Sequence, residues 1–422
     1  MNINSKSLTC FQIIFKMIGI LVGAWCMGFF LLILVYLIPI ESIDKHVSES
    51  VLILQEEGVF PVLTEFCTSQ LDNWTDSTML AKAAYAGEES TFNKALIVYS
   101  DRVEGINPCE SLVERYENGN CDTYKEAYPR YWHGYLLLLK PLLFMMNYSS
   151  IRVLNGIVQT LLSICVGYIL YRNNLKKYII PYFTAICLIM PVATAKSLQF
   201  SSIFYIFSIA TIILVANYAK WKDTLALFWF FMIVGIFTSY FDFLTYPLAT
   251  FGVPFVFLLC LKGKETLWTD LLTFMKALFF WGVGYAGMWA GKWILASLFS
   301  EYNVIADALQ TLLFRTSATN ESGVHCSVLH VWNINICAFV KNPIMGIAFI
   351  FIIVTFIQIW KKGKIKKLWE MSLRYGVVIV LPLIWYVVTR NHSWPHYFFT
   401  YKALMVSALA GMCLFPKVLE EY

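Results

Sequence analysis

Residues 17–40 read MIGILVGAWCMGFFLLILVYLIPI, a run with no charged side chain. A helix needs about 20 apolar residues to cross the hydrocarbon core of a bilayer. This run exceeds that length, so it reads as a membrane-spanning helix. It is also too long for a signal-peptide core, and no small-residue cleavage motif follows, which predicts a retained anchor. The rest of the chain has the same character. Of its 422 residues 59% are hydrophobic and 14% charged, against about 45–50% and about 25% in soluble domains. The predicted fold class is all-α: a polytopic transmembrane helical bundle, with residues 1–422 forming a single transmembrane domain.

The net charge of +5 comes from short Lys and Arg clusters between apolar runs, as orientation signals do. There is no nucleic-acid motif and no long basic tail, so nucleic acid is not an expected partner. The eleven cysteines show no zinc-ligand spacing. Cys109 and Cys121 could form a bridge outside the cell.

Spans are predicted at 17–39, 150–171, 178–195, 203–219, 224–240, 244–261, 271–298, 343–360, 373–389 and 397–415, about ten in all. Segment 132–147 is apolar but short, and could be re-entrant, interfacial or an extra span. If it does not span, the clusters Lys6/Lys16, Arg172/Lys176/Lys177, Lys220/Lys222, Lys262/Lys264 and Lys361–Lys367 all fall on one side. The positive-inside rule then puts both termini in the cytoplasm. Outside lie 41–131, 196–202, 241–243, 299–342 and 390–396. Segment 41–131 holds 17 of the 27 Asp and Glu residues. Its amphipathic stretches 76–86 and 110–117 predict helices on the outer surface rather than an independent domain.

Four constellations carry chemistry. In Asp72-Asn73-Trp74-Thr75-Asp76, a carboxylate at the membrane surface could take a proton from a sugar hydroxyl or help hold a divalent ion such as Mg or Mn. Thr75 or Asp76 could equally be the N-cap of a following helix. In the second, Asp242 is the one acidic residue of 224–264 that has Phe on both sides. It marks a tight turn or does a task. In the third, Arg390, His392, His396 and Lys402 stand in one short outer hairpin, where Arg can clamp a phosphate by two parallel bonds. Lys196 and Lys292, at or inside apolar runs, extend that cluster. Charge at membrane depth is costly and generally functional, although snorkelling and interfacial anchoring compete as explanations. In the fourth, Arg130, Tyr131, Trp132 and His133 offer aromatic faces for sugar rings beside a cation, or an aromatic belt. No Walker loop, dinucleotide turn, nucleophile elbow or HExxH is present.

The layout of one anchor, a long acidic outer loop and then many spans resembles the GT-C class of membrane glycosyltransferases. YPRYWHGYLLLLKPL, SYFDFLTYP and RNHSWPHYFFTYK also look like stretches of membrane proteins from bacterial polysaccharide clusters. The resemblance implies a polyprenyl-phosphate sugar donor and a glycan or lipid-linked acceptor. It further implies a first-loop carboxylate, Asp76 or Asp72, as base or metal ligand, and donor phosphate on Arg390, His392, His396 and Lys402. The expected function is inverting sugar transfer at the outer face of a bacterial plasma membrane, with Asp76 or Asp242 as general base. A transporter of lipid-linked sugars would need access from both faces, and an O-antigen-type polymerase normally carries its long loop late in the chain. Asp76, Asp242 and the 390–402 segment are expected to line one cavity.

Overall fold

The computed structural model describes residues 9–119, 121–263, 265–320 and 323–420. Lys6 and Lys264, two of the expected orientation signals, lie outside the described residues. Helix α1 (Cys10–Val35) opens on a capping box in which Thr9 and Gln12 bond each other's backbone. The first loop then folds as α2 (Ile40–Glu57), α3 (Asn73–Ala83), α4 (Thr91–Ile97), β1 (Tyr99–Val103), α5 (Pro108–Glu117) and β2 (Thr123–Ala127). The two expected amphipathic stretches are α3 and α5. The antiparallel pair β1–β2, with Tyr99 opposite Ala127, was not expected: five-residue strands carry too little alternation to stand out from loop. Cys109 and Cys121 are free thiols. Cys109 is the second residue of α5, and Cys121 lies past its end with its Sγ 4.0 Å from Glu114 O.

Helix α6 (Leu136–Met145) has ten residues, roughly half the thickness of a hydrocarbon core. Segment 132–147 therefore does not cross as a straight helix. The bundle follows: α7 (Tyr148–Arg172), α8 (Ile179–Leu188), α9 (Pro191–Lys196), α10 (Leu198–Trp221), α11 (Ala226–Phe241), α12 (Leu248–Leu261) and α13 (Leu267–Phe299). After it come α14 (Val304–Thr316), α15 (Val328–Val340), α16 (Met345–Lys361), α17 (Ile365–Val388), α18 (Arg390–Ser393), α19 (Tyr397–Thr400), a 3-10 turn and α20 (Met405–Leu419). Among the described residues six helices are long and apolar enough to cross a membrane: α1, α7, α10, α13, α17 and the run Tyr397–Leu419. The pair α15–α16, bent by 86°, makes up to seven. Helices α11 and α12 are apolar but have only 16 and 14 residues. The chain is a membrane-embedded helical bundle, and length alone does not reach ten spans.

One expected span is broken, and one expected loop is helical. The 178–195 segment divides into α8 and α9 at Met190, which has φ 54°. Segment 299–342, expected as a loop, contains α14 and α15. Broken backbone at membrane depth must be satisfied by protein. Here Ile189 O accepts from Lys402 Nζ (2.6 Å) and Thr194 Oγ1 (2.8 Å), and Leu188 O accepts from Asn342 Nδ2 (3.1 Å).

The closest helix pair is α11 with α13. A Cβ on Gly235 would lie 2.1 Å from Trp281 O, and one on Gly284 would lie 2.0 Å from Met232 O. Small residues let helix backbones approach where the solvent is lipid. Around them α1, α7, α16 and α17 present exposed Phe, Ile, Leu and Val, as a surface facing hydrocarbon does.

The two ends of the bundle differ. At one, Lys262 meets Asp270 at 2.8 Å, Arg374 pairs with Asp270, and Glu420 holds Lys177 (2.6 Å) and Lys417 (2.9 Å). At the other sits the first loop. Gly134 N donates to Tyr240 O (2.9 Å), Tyr401 donates to Thr68 O (3.0 Å), and the α10 N-terminus meets α3. The dense basic clusters and the acidic loop therefore occupy opposite ends, the arrangement that the charge pattern predicts.

Candidate functional site

Asp72, not Thr75 or Asp76, caps α3: its Oδ1 accepts from Thr75 N at 2.9 Å. Its Oδ2 accepts from Thr75 Oγ1 (3.0 Å) and from Gln199 Nε2. Asp76 stands inside α3 and caps a different helix. Its Oδ2 accepts from Leu198 N (2.9 Å) and its Oδ1 from Gln199 N (3.4 Å), at the start of α10. Carboxylates suit helix N-termini because the first N–H groups have no partner within the helix. Tyr148 also donates to Asp76 Oδ2 at 2.5 Å and receives a bond from Arg152 Nη2 at 2.6 Å. Arg152 continues to Glu57 (2.9 Å) and Asn73 (2.9 Å). Burial pushes Asp76 up to about 7 and Asp72 up to about 6, against the hydrogen bonds that pull both down. The pair fastens the first loop to α7 and α10, and both oxygens of each carboxylate are occupied. Arg152 is a charge near the start of an apolar run. The logic that singled out Lys292 would have found it too.

Two of the expected phosphate ligands have other work, and a third lies apart. Lys292 donates to Leu96 O at 2.5 Å and lies over the Trp132 ring, closing the C-terminus of α4. Lys402 closes the α8–α9 break. Both ammoniums are buried against carbonyl oxygens, which a buried cation needs, and neither is aimed at the 390–396 hairpin. Lys196 lies on the far side of α10's start and lines a separate groove.

A second cluster does form at the first-loop end. Asp242 follows α11 and is 4% exposed. It accepts from Thr245 N (3.0 Å) and Thr245 Oγ1 (2.5 Å) across a turn whose Leu244 has φ 68°. Burial pushes its carboxyl up to about 7. The same turn meets the 390–396 hairpin, since His392 Nε2 bonds Leu244 O at 2.8 Å. The rings of His392 and His396 are 4.8 Å apart, and His396 stacks on Phe399. Burial, with Arg315 nearby, pushes His396 down to about 4; burial also holds His392 well below the usual range. Both imidazoles are neutral at pH 7. His392 has its Nε2 committed to Leu244, so of the two only His396 keeps a nitrogen free to donate.

Arg315, near the end of α14, is the residue that sequence reasoning missed. Its Nη1 donates to Tyr131 Oη at 2.6 Å, and its charge acts on His392, His396 and Tyr285. Arg390 stands in the same region with a buried Nε that has no hydrogen-bond partner. Among the described residues neither guanidinium has a carboxylate partner. The Tyr285 hydroxyl, within electrostatic range of Asp242, Tyr131 and Arg315, is buried without a partner as well. Tyr131 lies 5.1 Å from Phe243 and 5.4 Å from Trp289, centroid to centroid. Arg315, His396, Tyr285, Trp289 and Phe243 all retain partial exposure amid this packing, and form a part-exposed cluster beside Asp242, hereafter the recess. The signal in the sequence was available: Arg315 is the only Lys or Arg between Lys292 and Lys341.

Of the 130–133 motif only Tyr131 faces this recess. Arg130 pairs with Asp307 at 2.9 Å. Trp132 donates to Met288 O at 2.6 Å inside the core. His133 bonds Tyr128 O at 2.8 Å, and burial holds it well below the usual imidazole range. The single shared cavity is therefore replaced by separate places: the Asp72–Asp76 fastening, the recess at Asp242, and the groove at Lys196. Among the described residues no group of three or more His, Cys, Asp or Glu side chains is placed to hold a metal ion. No family model matches the chain, and no curated protein or solved structure matches it either.

Proposed function

We propose that the recess around Asp242 is the active site of an inverting, GT-C-like glycosyltransferase that uses a polyprenyl-phosphate sugar as donor. The observation that carries this reading is that Tyr285 lies within electrostatic range of both Asp242 and Arg315, and His396 within range of Arg315, while Arg315 and Arg390 are guanidiniums without a carboxylate partner among the described residues. Asp242 takes over the role of base because both oxygens of Asp76 and one of Asp72 are held by another element, whereas the partners of Asp242 all come from its own turn.

The acceptor hydroxyl gives its proton to the Asp242 carboxylate. Its oxygen bonds to the anomeric carbon while the bond from that carbon to the phosphate oxygen breaks. The electron pair leaves on the polyprenyl phosphate. Arg315 and Arg390 balance that charge, and His396 adds a neutral donor. Fixed donors in a site poor in water are worth more than in bulk. Tyr131, Trp289 and Phe243 give apolar faces to sugar rings. A carboxyl near 7 suits a general base at neutral pH. On this reading the first-loop end faces outward, the basic end lies in the cytoplasm with both termini, and the membrane is a bacterial plasma membrane. The acceptor is a glycan or a lipid-linked glycan.

The test is transfer of labelled sugar from a panel of synthetic polyprenyl-phosphate sugars to membrane acceptors by the reconstituted protein. Transfer that is lost in both Asp242→Asn and Arg315→Ala supports the reading. Movement of the lipid-linked sugar across the bilayer with no new glycosidic bond rejects it in favour of a transporter.

A further inference from the structure

A cavity of about 550 Å³ opens between α7, α8, α9 and α10, a volume ordinary for a ligand pocket. Its walls are apolar, with Phe183, Ile186 and Phe204 inside. Val153, Ile164 and Val192 stand at its rim, exposed by 64%, 55% and 64%, so it opens sideways to the lipid. From Arg152 to Ser163 it follows α7 for about 16 Å, a shape for a chain rather than a compact solute. Gly156 borders the open space, since a Cβ there would meet nothing within 4 Å.

Two polar features break the apolar lining. At the first-loop end Lys196 is half-buried, and its Nζ has no hydrogen bond or ion pair among the described residues. Arg152 beside it is fully engaged by Glu57, Asn73, Tyr148 and Lys196 O. About 10 Å further along the helix comes Gln159, 4% exposed. Its Nε2 donates to Ser201 Oγ at 2.9 Å, and its Oε1 is buried without a partner. With the amide turned so that Oε1 faces Ser201 Oγ, Nε2 is the atom left unpartnered and can donate to a carbonyl oxygen of a ligand. A buried polar atom without a bond is unfavourable, and a ligand that completes it gains that bond.

We propose that this groove holds an anionic glycerophospholipid, with its phosphate on Lys196, an ester carbonyl at Gln159 and an acyl chain along α7. The ester is what separates this occupant from a polyprenyl phosphate, which has nothing to offer Gln159. The inference goes beyond the transferase reading and does not rest on it.

The test uses the full chain in nanodiscs of phosphatidylcholine with a minor fraction of phosphatidylglycerol. Lipids retained on release into the gas phase are counted by native mass spectrometry. The wild type retains one phosphatidylglycerol in preference to phosphatidylcholine. Lys196→Gln lowers that preference about tenfold, the worth of one charge-assisted hydrogen bond. Gln159→Leu weakens retention of either lipid, and Gly156→Trp, which fills the groove, abolishes it. Monodisperse elution of each variant shows that it folds. Unchanged retention in Gly156→Trp overturns the proposal. So does a preference for polyprenyl phosphate over phosphatidylglycerol, or displacement of the lipid by millimolar inorganic phosphate.

Discussion

The hydroxyl of Tyr148 donates to Asp76 Oδ2 at 2.5 Å, tying the first-loop carboxylate to the first turn of α7. The acid that the GT-C resemblance singles out is thereby a fastener between three elements. Its removal is expected to act first on stability. Asp76→Asn and Tyr148→Phe should each cost about 1–3 kcal/mol, the penalty for leaving buried partners unmatched. Thermal unfolding in detergent reads this directly. The pH dependence has a definite sign. Burial raises the Asp76 carboxyl from its usual value to about 7, so the folded state binds the extra proton. Stability is then greatest below about pH 4 and falls as pH rises towards 7, because the unfolded chain gives up that proton earlier. Asp76→Asn should flatten part of this slope. A slope left unchanged would separate Asp76 from the titration.

Lys402 and Lys292 make a second stability prediction. Each ammonium bonds carbonyl oxygens at a helix end. Lys402→Met should leave Ile189 O with only the Thr194 bond at the α8–α9 break, at a cost of about 1–3 kcal/mol. Lys292→Met should loosen α4 by a similar amount. Folded protein of either variant should keep its KM for donor, since neither side chain reaches the recess. A rise in KM without loss of stability would restore them as phosphate ligands.

Orientation follows from the two unlike ends. Reporters placed after Lys177, Lys222 and Lys367 should be cytoplasmic, and reporters in 41–131 and 299–342 external. The motive is the grouping of Lys177, Lys262 and Arg374 at the end away from the first loop. A reporter after Lys222 found outside would remove the argument that the recess faces outward.

Apolar length and charge placement read well from the chain. Helices α7, α10 and α13 lie close to their expected ranges, because an uninterrupted apolar run allows few alternatives in a bilayer, while α17 starts at Ile365, well before the expected 373. Breaks were not legible. Met190 takes a left-handed backbone, and the 86° bend between α15 and α16 depends on partners such as Asn342 and Lys402 far along the chain. The site was legible in its residue types and not in its pairings. His392 bonds the turn that carries Asp242, and His396 lies beside His392. Asp76 and Lys402 look no different in sequence, yet each is taken up by a helix end. Arg315 was passed over because it stands in a segment read as loop, where a cation has no cost to explain.

The last prediction separates catalysis from architecture. Asp242→Asn keeps shape and can still accept the Thr245 bonds, but it has no carboxylate to take a proton. Loss of a general base typically costs about 10²–10⁴-fold in rate, with donor binding little changed. The pH profile gives the sign: the carboxyl near 7 must be ionised to act, so transfer should rise with pH through about 7 and then level. Arg315→Ala should lower kcat and weaken donor binding together, because it removes charge from the bound phosphate and from the phosphate as it leaves. Arg315→Lys should recover only part, since an ammonium keeps the charge without the planar fork. Tyr131→Phe supplies the control. It breaks the 2.6 Å bond to Arg315 while leaving both the ring and the cation, so a purely structural role predicts a change in stability with an unaltered pH profile. If Asp242→Asn retained full transfer while Asp72→Asn or Asp76→Asn abolished it in folded protein, the base would return to the first loop and the recess would be left with binding alone.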